Sequence, residues 1–285
     1  MTHPQFTNPS WFNSVLAATS VCVLMSAPVS AAPFFFSTGD PDGRIGTASR
    51  PASAGKIEIE SADDFVLSQT TSIDHATFTG LLPSDATINQ VRLEIYRVFP
   101  KDSADPPSGH VLTRVNSPSD VAFEDTDTRG LTFIDNTLSL SFTAANTVVN
   151  GINPKPNQTT AGEGPATGRE VLFSVKLATP FVLPADHYFF IPQVELANGE
   201  FLWLSAPKPI VAPGTPFTPD LQSWIRNEAL APDWSRIGTD VVGGAPPPTF
   251  NGAFSLSGQT VPLPGSLMFL GSALAGLIAA RRRIA

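Results

Sequence analysis

The chain has 285 residues, with 17 basic and 25 acidic side chains for a formal net charge of −8, and it carries 28 Pro and 21 Gly. A surplus of acid makes nucleic acid and anionic lipid headgroups poor partners, and so much Pro and Gly argues against a helical body, because Pro breaks helices and Gly costs backbone entropy. The single cysteine, Cys22, excludes a disulfide framework and a cysteine metal cluster.

Residues 14–25 (SVLAATSVCVLM) form a short apolar core, followed by small residues at Val29, Ser30, Ala31 and Ala32. This is the pattern of a secretory signal peptide over residues 1–32, although the first 13 residues contain no Lys or Arg. The apolar run is short for a full membrane span. Cys22 lies inside it, so an exported body has no thiol and depends on packing alone.

Period-2 patterns mark the strands of the body. In residues 56–60 (KIEIE) the alternation puts Ile57 and Ile59 on one face. Val91, Leu93 and Ile95 alternate with Arg92, Glu94 and Tyr96; Leu138, Leu140 and Phe142 alternate with Ser139 and Ser141, which point outward. Val171, Phe173, Val175 and Leu177 predict a further half-buried strand. Residues 187–196 (HYFFIPQVEL) and 201–204 (FLWL) read as more deeply buried, joined by a hairpin-like turn at residues 197–200 (ANGE). Pro192 inside the first of them predicts an edge strand or a bulge.

Residues 220–229 (DLQSWIRNEA) are the best short helix candidate, with Asp220 as N-cap. Residues 250–256 (FNGAFSL) predict a last strand before a linker to the membrane. Pro/Gly-rich connections at residues 153–168, 206–219 and 243–249 separate these elements, and no internal repeat is present. Many short strands with turn signals predict an all-β fold, an antiparallel β-sandwich of jelly-roll type. The expected organisation is a signal peptide (1–32), a sandwich ectodomain (33–242), a Pro/Gly-containing loop, final strand and linker (243–260), and a C-terminal segment (261–285).

That segment orders a proline motif (Val261, Pro262, Leu263, Pro264), an apolar span and a basic cluster (Arg281, Arg282, Arg283). Residues 263–280 give 18 positions for a transmembrane helix, about 27 Å at about 1.5 Å per residue. The arginines would stay on the cytoplasmic side of the inner membrane and leave the body facing outward. Without them, 14 basic against 25 acidic residues leave −11. Neutral glycans, or divalent cations together with anionic polysaccharide, are compatible with that surface.

The three-part tail resembles the PEP-CTERM sorting signal of Gram-negative bacteria, with Val261, Pro262 and Pro264 in place and Leu263 where the family usually carries Glu. The resemblance implies recognition by an exosortase-type processing protease, removal of the tail, and delivery to the cell surface or an exopolysaccharide matrix. Residues 62–65 (ADDF) and 183–189 (LPADHYF) are similar to segments of the β ectodomains such proteins carry.

No hydrolase, phosphate-loop or dinucleotide motif is present, and His75, His110 and His187 are too dispersed for a local metal site. Asp40 and Asp42 flank a turn that oxygen-ligated Ca²⁺ would favour, but Arg44 follows where another oxygen is needed, so no metal or other cofactor is expected. Trp224 and Trp234 are candidates to stack on a sugar face, or else core residues. The expected function is a noncatalytic surface or matrix protein that binds exopolysaccharide, not an enzyme. The alternatives are a carbohydrate-active hydrolase using paired carboxylates, and a periplasmic binding protein that keeps its membrane anchor.

Overall fold

The computed structural model describes residues 30–101, 111, 114–152, 160–207, 221–243 and 248–262. The expected transmembrane helix and most of the expected signal peptide lie outside these residues. Ala31–Pro262 forms one compact unit.

Among the described residues the fold is all-β. In chain order the strands are β1 (Pro33–Ser37), β2 (Gly46–Ala48), β3 (Ile59–Leu67), β4 (Thr71–Leu82), β5 (Ile88–Val98), β6 (Pro118–Asp127), β7 (Leu131–Ala144) and β8 (Thr147–Val148). They continue as β9 (Ala166–Leu183), β10 (Asp186–Leu196), β11 (Leu202–Ala206), β12 (Trp224–Asn227), β13 (Ser235–Arg236), β14 (Asn251–Gly252) and β15 (Phe254–Thr260). One sheet runs β1-β15-β4, after which β4 meets β9 and β7 along one side and β11, β2 and β8 on the other. The second runs β13-β12-β3-β10-β5-β6. Pairing is antiparallel except between β2 and β8.

The two sheets face each other across the largest core. Phe78, Phe173, Val175 and Phe254 from the first meet Phe65, Leu93, Tyr188 and Phe190 from the second. Phe78 stacks on Phe173 at 4.8 Å, and Phe190 on Phe254 at 5.0 Å. Alternation sets up this core, since β5 turns Val91, Leu93 and Ile95 inward and β9 does the same with Val171, Phe173, Val175 and Leu177.

Alternation also creates two outer layers. On β11, Trp203 enters the central core while Leu202 and Leu204 join a second cluster on the opposite face of the first sheet. On β10, Tyr188 and Phe190 point inward while Phe189 and Ile191 point outward to Trp224 and Trp234. The strand is buried on both faces, which explains its near-continuous apolar sequence.

Several local expectations are corrected. Residues 220–229 hold no helix among the described positions; Trp224–Asn227 pairs with Ala62 through Ile59 of β3, since sheet pairing and burial of Trp224 outweigh a weak helical pattern. Ile57 is 45% exposed whereas Ile59 is buried, because Lys56 bridges back to Ser53 around Gly55 and the ladder of β3 starts only at Ile59. Leu138 and Leu140 are 54% and 81% exposed. Two register shifts interrupt β7 beside them, and β7 pairs only with β9 among the described residues, so the simple alternation is lost.

Pro192 sits in an interior strand rather than at an edge. The β3 ladder ends at Phe190 opposite Asp63, and beyond it Ser49 takes over, donating its hydroxyl to the Pro192 carbonyl at 2.6 Å. The missing proline N–H is tolerated at this change of neighbour. Residues 197–200 do not close a hairpin: β10 and β11 belong to different sheets, so this turn crosses between them.

Candidate functional site

The sorting-motif region is approached through β15. This strand is flanked by β1 on one side and β4 on the other, with Phe254 and Leu256 in the central core. Its last residue, Thr260, donates its N–H to the Ala32 carbonyl at 2.8 Å and accepts the Ala32 N–H on Oγ1 at 3.0 Å. The next residue, Val261, donates its N–H to the Thr70 carbonyl at 2.8 Å. The strand therefore runs directly into the Val261-Pro262 pair, so residues 257–260, expected as linker after the last strand, are themselves part of β15. Ser30, Ala31 and Ala32 are exposed where the described chain begins. Val29, Leu263, Pro264 and Arg281 to Arg283 lie outside the described residues.

The strand β1 holds this stem together. Phe34 and Phe36 pack against the central core, with Phe36 5.3 Å from Phe254 and 6.1 Å from Phe65, ring centre to ring centre. Phe35, on the opposite face, is 72% exposed.

Trp224 and Trp234 are corrected as sugar-stacking residues. Both are fully buried against the outer face of the second sheet. Trp224 donates its indole N–H to the Leu221 carbonyl, and Trp234 donates to the Ser119 carbonyl. Arg226 lies 4.2 Å above the Trp234 ring and Arg236 4.8 Å above Trp224, so guanidinium groups occupy the faces a sugar would need.

Asp40 and Asp42 show no metal geometry. Asp42 Oδ1 accepts the Arg44 N–H at 3.0 Å and the Ser205 hydroxyl at 2.5 Å, a turn built by hydrogen bonds. No group of three His, Cys, Asp or Glu among the described residues is arranged to hold a metal. Asp63 likewise has a structural part, accepting from Ser223 Oγ at 3.1 Å and from the Gly252 N–H at 2.9 Å.

Sequence reasoning missed a buried ionic network beneath the Trp224–Trp234 cover. Arg226 contacts Glu60 and donates to the Tyr96 hydroxyl at 2.9 Å, while Tyr96 donates to Glu60 Oε1 at 2.8 Å. Arg114 bridges Asp120 and Asp233 nearby. Glu94, 2% exposed, meets Arg92 at 2.7 Å, and its Oε2 has no hydrogen-bond partner within the described structure. Burial, reinforced by the Glu60 carboxylate and only partly opposed by Arg92, pushes the Glu94 carboxyl up to about 9. Burial and Glu60 also push the Tyr96 phenol well above its ordinary range.

These carboxylates are sealed under side chains and engaged by arginines, so their arrangement fastens residues 221–243 to the sheet. The partners Glu60, Glu94, Arg114 and Arg226 come from distant strands and loops, and no local motif announces them. The charged residues inside otherwise apolar, alternating strands were the available signal.

A model of the PEP-CTERM protein-sorting motif matches residues 260–283, beginning at the last residue of β15. No curated protein and no solved structure matches the chain.

Proposed function

Since the chain carries the tail of a PEP-CTERM exosortase substrate, an exported protein sorted at the membrane towards the surface, we propose that it is a noncatalytic surface or extracellular-matrix protein whose β-sandwich body, jelly-roll-like in type, binds exopolysaccharide. The observation that carries this reading is the continuity of β15 with the matched motif. The folded body ends where the sorting signal begins, and its first strand lies alongside. In this account a signal peptide ending at Ala31 or Ala32 starts export, residues 263–280 cross the inner membrane, and Arg281 to Arg283 remain cytoplasmic. An exosortase then removes the tail. In this reading the body acts without a cofactor.

Co-expression with an exosortase tests the sorting step. Tail loss that requires the enzyme supports the reading, and an unchanged chain in its presence opposes it. Leu263 favours one second reading, a periplasmic binding protein that stays anchored, because the family usually has Glu at this position.

A further inference from the structure

The outer faces of the two sheets are treated differently. Trp224, Trp234 and the ionic network cover the second sheet, and the cluster around Leu81, Leu202 and Leu204 covers part of the first. The portion formed by β1, β15, β4, β9 and β7 carries no such cover among the described residues. Its register aligns side chains across all five strands. Ser37, Ser255, Thr77, Ser174 and Ile134 form one continuous row, and Phe35, Ser257, His75, Lys176 and Thr132 form the next.

We propose that this open face is a binding site for a neutral polysaccharide laid across the strands. The inference deepens the exopolysaccharide reading above and rests on it. Four hydroxyls stand side by side in the first row, at the strand spacing of about 4.8 Å, so five strands offer a track of about 19 Å. Thr77 and Ser255 share a hydrogen bond of 2.6 Å, and Ser174 Oγ lies 3.1 Å from His75 Nε2. Each hydroxyl has one donor and two acceptor sites, so these pairings orient the oxygens and leave further capacity facing outward. A sugar chain has matching donors and acceptors.

Phe35 adds the apolar component. Its ring is 72% exposed at the β1 end of the second row, where it can cover the C–H face of a sugar ring. The charge of the face selects among polymers. Lys176 stands on it, Asp74 is exposed at the β4 register shift beside it, and Glu170 lies further along the same side of β9 near Asp40, so the face holds no basic cluster within a body of net charge −11. A polyanion would meet the repulsion of the whole body without a compensating basic cluster. A neutral chain meets no such field.

The test uses the full-length chain in nanodiscs, with depletion onto insoluble β-1,4-glucan and affinity electrophoresis through dextran and galactomannan. Three proteins are compared: the wild type, Phe35→Ala, and the double variant Thr77→Val/Ser255→Ala, with Leu140→Ser as a control at an exposed site away from these rows. Near-ultraviolet circular dichroism and a urea midpoint establish that each variant is folded. Retention of wild type and control by at least one neutral polymer, with about fivefold or greater weakening in both face variants, is the expected result. Equal retention of all four proteins would overturn the site while leaving the glycan-binding reading intact. No retention of the wild type by any of these polymers, nor by alginate added as a charged comparison, would overturn both, and retention by alginate alone would overturn the neutral-chain site while leaving the glycan-binding reading intact. A wild-type dimer that the face variants convert to monomer would assign the face to a second copy of the chain and overturn the proposal.

Discussion

Ala32 and Thr260, 228 positions apart in the chain, are joined by two hydrogen bonds: the Thr260 N–H donates to the Ala32 carbonyl, and the Thr260 hydroxyl accepts the Ala32 N–H. The start of the expected mature chain is thereby fastened to the residue that immediately precedes the sorting motif. The pairing continues inward from Pro33 opposite Gln259 to Ser37 opposite Ser255. Both ends of the body leave it at the same place. A chain tethered to a membrane through either end, or both, can hold the same fold.

This makes β1 a structural strand despite its short length. Phe36→Ala is expected to destabilise the body by about 2 kcal/mol, because the ring is partly buried against Phe254 and Phe65. Urea unfolding followed by circular dichroism measures this. Phe35→Ala, on the exposed face, is expected to change the midpoint little, and equal losses in the two variants would contradict the assignment of faces.

Gly252 has a packing requirement. A Cβ built there would lie 2.2 Å from Cζ2 of Trp203, whose indole donates to the Ala253 carbonyl at 3.0 Å. Gly252→Ala is expected to cost about 2 to 3 kcal/mol through displacement of a buried indole. A thermal midpoint unchanged from wild type would show that Trp203 has room to move.

The Glu94 carboxyl gives the stability a defined pH dependence. Burial, and then the Glu60 carboxylate, raise it from 4.5 in a free chain to about 9 in the fold. The folded state therefore keeps a proton that the unfolded chain releases. The associated stability is fully present below about pH 4.5 and is lost progressively as pH rises towards 9. Glu94→Gln, which keeps the shape and cannot ionise, is expected to flatten that decline. Urea midpoints at pH 5, 7 and 9 for both proteins provide the comparison, and parallel curves would refute the assignment.

Trp234 is expected to behave as a core residue. Trp234→Ala should cost about 3 to 5 kcal/mol, since it removes a fully buried ring that Tyr96 meets edge-on at 5.6 Å and Arg226 covers. Polysaccharide added to the wild type should leave the tryptophan emission unchanged, since Trp203, Trp224 and Trp234 are all buried. A large shift on addition that Trp234→Ala abolishes would return Trp234 to the binding surface.

Features set by neighbouring residues were legible in the sequence, and features set by distant pairing were not. Regular alternation made β5 and β9 legible, because each turns a run of apolar residues, Val91 to Ile95 and Val171 to Leu177 at every second position, into the central core. The C-terminal motif was legible because its three parts are contiguous. Alternation failed in β7, where two register shifts leave Leu138 and Leu140 exposed, and it could not tell which layer covers each side of β10. The burial of Trp224 depends on pairing with β3, some 160 residues earlier, and the hydroxyl rows need the register of five strands. Neither is encoded in a local pattern.

The central claim is that this chain is processed at both ends and sorted away from the inner membrane, and intact-mass analysis of the protein recovered from the native host's envelope and medium tests it most directly. The expected species lacks the first 31 or 32 residues and the segment after the Val261-Pro262-Leu263-Pro264 motif, and it is recovered outside the inner membrane. A chain that still carries Arg281 to Arg283 and remains in the inner membrane would contradict the account and leave a permanently anchored β domain.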